Sequence, residues 1–331
     1  MELTSTVHDY AGVSWKHGLC AATLTILVIV VVVAKTDSKT APPPFTAMTM
    51  SPYPTEAPSE APTTASTTMA PTPISTNKIR YNGGSVLTHP VAFVVWYGNW
   101  SSALGQATVS ATERFLSSLR ATPFNTILSS YYSVNQLTHQ RNYISNTVVF
   151  GGSTHTPAPT NNSTALSQTN IHQVAANAIV SGQLPYSSQG IYFVLTSPEV
   201  SVVGMCQSFC GWHSALTVPN KTQAATVAFA VLATNCPAGC APPQYFAHAQ
   251  NGQLTDGLVN IVSHELCESA TDPFGDGWVL DGKEMADLCS WTEMSGSLTY
   301  NLVLNNDSKF TVQGEWLNVD GNGGGYCALS A

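Results

Sequence analysis

The stretch DGLVNIVSHELCESATDP (Asp256–Pro273) decides how this chain is read. Leu258, Ile261, Val262, Leu266 and Ala270 recur at helical spacing, which predicts a helix over Leu254–Ala270 that stops before Pro273. On that helix His264 and Glu268 stand at i and i+4, so their side chains share a face and can reach one ion. Glu265 is turned by about 100° and stands beside that ion. This is the spacing of the His-Glu-x-x-His zinc helix with a glutamate in place of the second histidine. There the first and fifth positions bind metal, and the second takes a proton from the metal-bound water. Asp272 lies near the same face as the helix ends, and Glu284 and Asp287 offer two more carboxylates at i and i+3, close to Cys289.

The competing reading is a solvent-facing polar stripe on an amphipathic helix. The charge distribution argues against it. Only 9% of the 331 residues are charged, yet Glu265, Glu268, Asp272, Asp276, Asp281, Glu284 and Asp287, seven of 19 acidic residues, fall within 23 positions. Carboxylates concentrated in this way repel one another unless a cation neutralises them. The expected metal set is therefore His264, Glu268, Asp272, Glu284 and Asp287. One imidazole with several carboxylates suits zinc, and the oxygen-rich set also admits calcium or manganese.

Outward from the helix, the chain alternates strands and helices. VAFVVWYGNW (91–100), the segment from Gly190 (GIYFVLTS) and TVAFAVLA (226–233) read as buried strands, and Tyr131–Val134 and Thr147–Phe150 as short ones. Thr108–Leu119 and Asn170–Ser181 read as helices, and everything after Pro273 as mostly irregular. The fold class is α/β (α+β): a single disulfide-bonded, mixed-sheet domain with a late metal-site helix. Seven cysteines follow residue 200. Cys206 with Cys210 and Cys236 with Cys240 form two close pairs that bridge within themselves or cross to each other, or else bind zinc as a four-cysteine site. Cys289 and Cys327 would staple the C-terminal segment, leaving Cys267 over.

The N-terminal third has another character. After a tail (1–18), residues 19–35 hold LCAATLTILVIVVVVA, sixteen residues without a charge, read as a transmembrane signal anchor or a cleaved signal peptide. Residues 36–77 hold nine of the 20 prolines among Ser, Thr and Ala, the composition of a disordered stalk. The globular domain is then 78–331. Its five Asn-x-Ser/Thr sequons, at Asn99, Asn161, Asn162, Asn220 and Asn306, join the cysteines in pointing to the secretory pathway, with the domain at the cell surface or secreted. With 11 Lys and Arg and a formal charge of −8, nucleic acid is excluded as a partner. As an anchor, 19–35 would engage the membrane; as a signal peptide, it would be removed.

GGSVLTHPVAFVVWYGNW, YFVLTSPEVSVVGMCQSFCGWHSA, NCPAGCAPP and DGLVNIVSHELCESATDPFGDGW together resemble the exordium (phosphate-induced protein) family over about 80–280. The two Cys-x3-Cys motifs and the D-G-x-V-N…T-D-P-F-G-D-G run are the most specific parts. The resemblance implies a secreted, disulfide-bonded protein of the cell wall or surface, with no established reaction. Plant members carry small or apolar residues where this chain has His264, Glu265 and Glu268. The chain is similar instead to a branch whose helix reads S-H-E-x-x-E-x-x-T-D-P, which looks like a degenerate zincin helix, and the order of strands followed by a late metal helix is zincin-like.

Two functional readings follow. In the first, the domain is an exordium-like extracellular module whose metal is structural. Its partners would be cell-wall or matrix polysaccharide, stacked on exposed aromatics such as Trp100, Trp212, Trp278, Trp291 and Trp316. In the alternative it is a zinc-dependent, metallopeptidase-like hydrolase acting on a peptide substrate, with Glu265 as general base and His213 stabilising the oxyanion. A carboxylate in place of the second imidazole leaves the metal less positive and its water less acidic, which weakens that chemistry.

Overall fold

The structure, a computed structural model, describes residues 75–159, 165–290, 300–319 and 324–330. The tail, the apolar segment 19–35, nearly all of the stalk, Asn161, Asn162 and Trp291 lie outside the described residues. Among the described residues no helix is long and apolar enough to cross a membrane.

In chain order the elements begin with β1 (Ser75–Lys78), β2 (Arg80–Tyr81), β3 (Val91–Tyr97) and helix α1 (Ala103–Ser118). Then come β4 (Tyr132–Val134), β5 (Arg141–Tyr143), β6 (Val149–Thr156), α2 (Gln168–Val180) and β7 (Gly190–Thr196). β8 (Gly211–Leu216), β9 (Ala225–Val231), two single turns α3 (Pro237–Cys240) and α4 (Pro243–Phe246), and the long α5 (Gln253–Thr271) follow. β10 (Trp278–Val279), β11 (Tyr300–Val303), β12 (Lys309–Val312), β13 (Glu315–Asn318) and β14 (Gly324–Ala328) complete the order.

The centre is a five-stranded mixed sheet in the order β6-β3-β7-β9-β8. The first four strands run parallel and β8 lies antiparallel on the edge. β7 and β9 are buried throughout and β3 nearly so, because interior parallel strands are covered on both faces; their continuous apolar runs follow from that. Helix α1 starts at Ala103, five residues before the sequence expectation. Ser102 caps it, its Oγ accepting from the Gly105 N–H at 3.0 Å.

Helix α5 packs against β9, β8, β12 and α1, and every residue from Thr255 to Thr271 is buried. The solvent-facing stripe is therefore overturned: the polar side chains of α5 point into protein on all sides. Gly252, at φ +86°, turns the chain into α5, and Pro273 forbids continuation beyond Asp272.

The C-terminal part corrects the expectation of irregular chain. β11 and β12 pair as a hairpin, while β13 and β14 pair with each other and β14 with β1, so Ser75–Lys78, within or next to the stretch read as stalk, forms a strand of the domain. The polysaccharide-stacking aromatics are also corrected. Trp100, Trp212, Trp278 and Trp316 are all buried. Trp278, for instance, packs edge-on to Tyr131 and Tyr132 and donates to the Tyr132 carbonyl at 2.8 Å. In a chain this poor in charge, indole rings serve as core.

Three disulfides close the domain. The two Cys-x3-Cys motifs cross, as Cys206–Cys236 and Cys210–Cys240, which displaces both the within-motif pairing and the four-cysteine zinc site. Cys289–Cys327 forms the third, and Cys267 is free and buried.

Candidate metal centre

Three regions bring the ionisable side chains together. α5 supplies His264, Glu265 and Glu268. The edge strand β8 supplies His213, opposite Ala228 of β9. The turn after β10 supplies Glu284 and Asp287. The crossed disulfides tie the approach to β8 to the approach to α5, and Cys289–Cys327 fastens the Asp287 turn to β14. Gly211 permits the close approach of β8 to α5. A Cβ there would sit 2.5 Å from Ile261 Cγ2 and 2.7 Å from Glu265 Oε1.

His264 is wholly buried. Its Nε2 lies 3.1 Å from Glu268 Oε1 and 3.6 Å from Asp287 Oδ1. On the other side its Nδ1 lies 3.3 Å from Gln313 Oε1, and Gln313 Nε2 donates to the Ala286 carbonyl at 2.9 Å. Because that amide nitrogen is committed as a donor, Gln313 Oε1 accepts, and His264 Nδ1 carries the proton. Nε2 then points at two carboxylates, an arrangement that a metal ion bound at Nε2 would satisfy. A histidine whose second nitrogen donates to an amide or carbonyl oxygen is also how metal-bound imidazoles are held. The Asp287 N–H donates to Glu268 Oε1 at 3.1 Å, fixing the turn on the helix.

His213 repeats the pattern. Its Nε2 is 3.0 Å from the Asp272 carbonyl and 3.3 Å from Glu284 Oε1, and its Nδ1 is 3.3 Å from Glu265 Oε2 and 3.8 Å from Glu268 Oε2. Asp272 thus meets His213 through its backbone, while its carboxylate accepts from the Gly277 N–H at 2.7 Å. Two donor sets result, each with ligand atoms within 4.8 Å of one another: His264, Glu268 and Asp287, and His213, Glu265 and Glu268.

Burial raises the carboxyls. Desolvation, then Asp287, Glu284 and Glu265, hold Glu268 well above the usual range. Desolvation followed by Glu284 pushes Asp272 up to about 7, and desolvation with Glu284, against the pull of His264, takes Asp287 to about 6. Burial would lower His213, yet Glu284 and Glu265 outweigh it and hold the imidazole well above its ordinary value. Glu315, at the start of β13, is fully buried; desolvation pushes it up to about 8 although His264 opposes this.

Sequence reasoning missed Gln313, Glu315 and Asn260, which accepts from the Gln313 N–H at 2.6 Å. The alternation in KFTVQGEWLN was the available signal for β12, which Gln313 follows, and for β13, which Glu315 opens. Of the sequons, Asn99, Asn220 and Asn306 are exposed.

Fold and donor set together define a disulfide-bonded α+β domain with a buried histidine–carboxylate centre. The chain matches the phosphate-induced protein 1 conserved region over residues 79–321 and belongs to that family. Among curated relatives it is 27% identical over 278 residues to Protein EXORDIUM-like 5 of Arabidopsis thaliana, covering 72% of this chain and 75% of the relative. It is 27% identical over 239 residues to Protein EXORDIUM-like 3 of the same plant, covering 64% and 68%. No solved structure matches the chain.

Proposed function

We propose that this is an extracellular exordium-like protein of the cell surface or wall whose α5 centre binds a divalent cation, zinc first. The observation that carries the reading is His264 Nε2. It is buried without a hydrogen-bond partner, its proton is placed on the opposite nitrogen by Gln313, and it faces Glu268 and Asp287. The borderline donor set of imidazole and carboxylate suits zinc or manganese. The three disulfides, the exposed sequon asparagines and the relatives support the location. A metal helix laid against a mixed sheet supports a zincin-like reading of the architecture. Glu265, which a hydrolase would use as base, faces His213 instead, so the donor set reads as a binding centre first.

The test is elemental mass spectrometry of the full-length chain after secretory expression, beside a His264→Ala/Glu268→Ala double variant. Bound zinc that disappears in the variant is the expected outcome. A folded, disulfide-bonded wild type that binds no divalent cation sinks the proposal.

A further inference from the structure

Glu268 is the only residue common to the two donor sets, and it serves them with different atoms. Its Oε1 lies 3.1 Å from His264 Nε2, and its Oε2 lies 3.8 Å from His213 Nδ1. Each side of Glu268 therefore offers the same kit: one imidazole nitrogen, one terminal carboxylate (Asp287 or Glu265) and one oxygen of the shared carboxylate. The helix makes this possible, since Glu265 at i−3 and His264 at i−4 flank Glu268 on one surface of α5. From these atoms we infer that the centre holds two divalent cations bridged by the Glu268 carboxylate. The first is the α5 cation proposed above, on which the inference rests. The second lies among His213, Glu265 and Glu268.

Three observations carry the second position. Glu265 Oε1 and Glu268 Oε2 are buried without a hydrogen-bond partner, on side chains 0% exposed. Their desolvation is uncompensated unless a ligand supplies the missing partner. His213 Nε2 faces the Asp272 carbonyl at 3.0 Å, and a carbonyl can only accept, so that nitrogen holds a proton and Nδ1 is the atom turned toward Glu265 and Glu268, where a metal ion would take the place of its second proton. Charge gives the third. Glu265, Glu268, Glu284 and Asp287 are four carboxylates gathered around two imidazoles. Two dications would balance these four carboxylates in their ionised form, and a single dication would balance two of them. Metal pairs bridged by a carboxylate sit about 3.5–4 Å apart, a span that the two oxygens of one glutamate subtend.

The experiment uses the full-length chain, freed of metal with a chelator and titrated separately with zinc and with manganese(II). Calorimetry and elemental analysis count the ions, and electron paramagnetic resonance reads the manganese form. Two ions per chain and a spin-coupled manganese signal are expected. His213→Ala and the isosteric Glu265→Gln should each leave one ion and an uncoupled signal, and Glu268→Ala should lose the coupling and weaken both ions. One ion per wild-type chain, unchanged by either substitution, overturns the second position and leaves the α5 cation standing. No ion at all overturns both. Should the variants fail to fold, the wild-type count and its manganese spectrum still decide.

Discussion

Replacing Glu315 by glutamine should change how stability depends on pH more than stability itself. Glu315 is 0% exposed, and burial pushes it from 4.5 up to about 8 against the opposing pull of His264 and Gln313. Between those values the folded protein keeps the proton and the unfolded chain releases it. The native state binds more protons, and stability falls as pH rises. At about 1.4 kcal/mol per pH unit, and allowing for partial titration of the unfolded chain near pH 5, the loss between pH 5 and pH 7 is about 2.5 kcal/mol. Glu315→Gln removes this contribution. The amide brings its own packing and hydrogen-bond cost, but that cost does not vary with pH, so the slope is the readout. Asp272, Asp287, Glu268 and His213 all have raised values and tilt stability the same way, in both proteins alike. The assay is denaturant unfolding followed by tryptophan fluorescence at pH 5, 6 and 7, with chelator present and disulfides intact. The variant's curve should be flatter by about 2.5 kcal/mol across that range. Parallel curves would refute the reasoning, since they would mean that Glu315 is already ionised in the fold.

Gln313→Leu removes the group that fixes the proton on His264 Nδ1 and should weaken cation binding by about 10–100-fold with the fold intact, measured by competition with a chromophoric chelator. Gly211→Ala forces a methyl against Ile261, Glu265 and the Phe229 carbonyl, and should cost about 1–3 kcal/mol in denaturant unfolding. Cys267 is buried and its thiol is held well above the ordinary range by desolvation and Glu315, so peptide mapping after native alkylation should find it unmodified and mapping after denaturation should find it labelled. Asn99, Asn220 and Asn306 should each carry a glycan, and substitution by glutamine at each should remove one mobility step on gels.

What the sequence made legible follows from which interactions are local. β3, β7 and β9 announce themselves because strands covered on both faces must be apolar throughout. α5 is legible from its periodic apolar residues and from Pro273, and His264, Glu265 and Glu268 are legible because four residues of one helix fix their relation. β8 escaped notice: GWHSAL is short, lies on an edge and mixes polar with apolar residues, so only its pairing with β9 makes it a strand. β11 to β14 were hidden by the Gly- and Asn-rich turns between them. The tryptophans misled because residue type alone does not say which side of the surface a ring occupies; Trp278 is closed in by Tyr81, Tyr131 and Tyr132, which come from far upstream. Gln313, just after β12, and Glu315, at the start of β13, matter only through where the fold delivers them, so no local pattern assigns them a role.

The disulfides and the centre belong to one physical problem. Carboxylates gathered around two imidazoles repel one another before any cation arrives, and the elements carrying them are free to part. β8 is an edge strand, held by hydrogen bonds on one side only, and the Asp287 turn is a single short helical turn. Yet each is covalently fastened close to the residue it presents. Cys210 stands three residues before His213 and is bonded to Cys240 near the start of α5, and Cys289 stands two residues after Asp287 and is bonded to Cys327 of β14. The cross-links restrict the very separations that electrostatic repulsion would enlarge, so the donor atoms stay assembled when the cation is absent. Reduction should therefore weaken cation binding before it unfolds the sheet, whose buried parallel strands carry no disulfide. Stepwise reduction of the full-length chain, followed in parallel by bound metal and far-ultraviolet circular dichroism, separates the two events. Simultaneous loss of metal and secondary structure would show that the cross-links serve the fold alone.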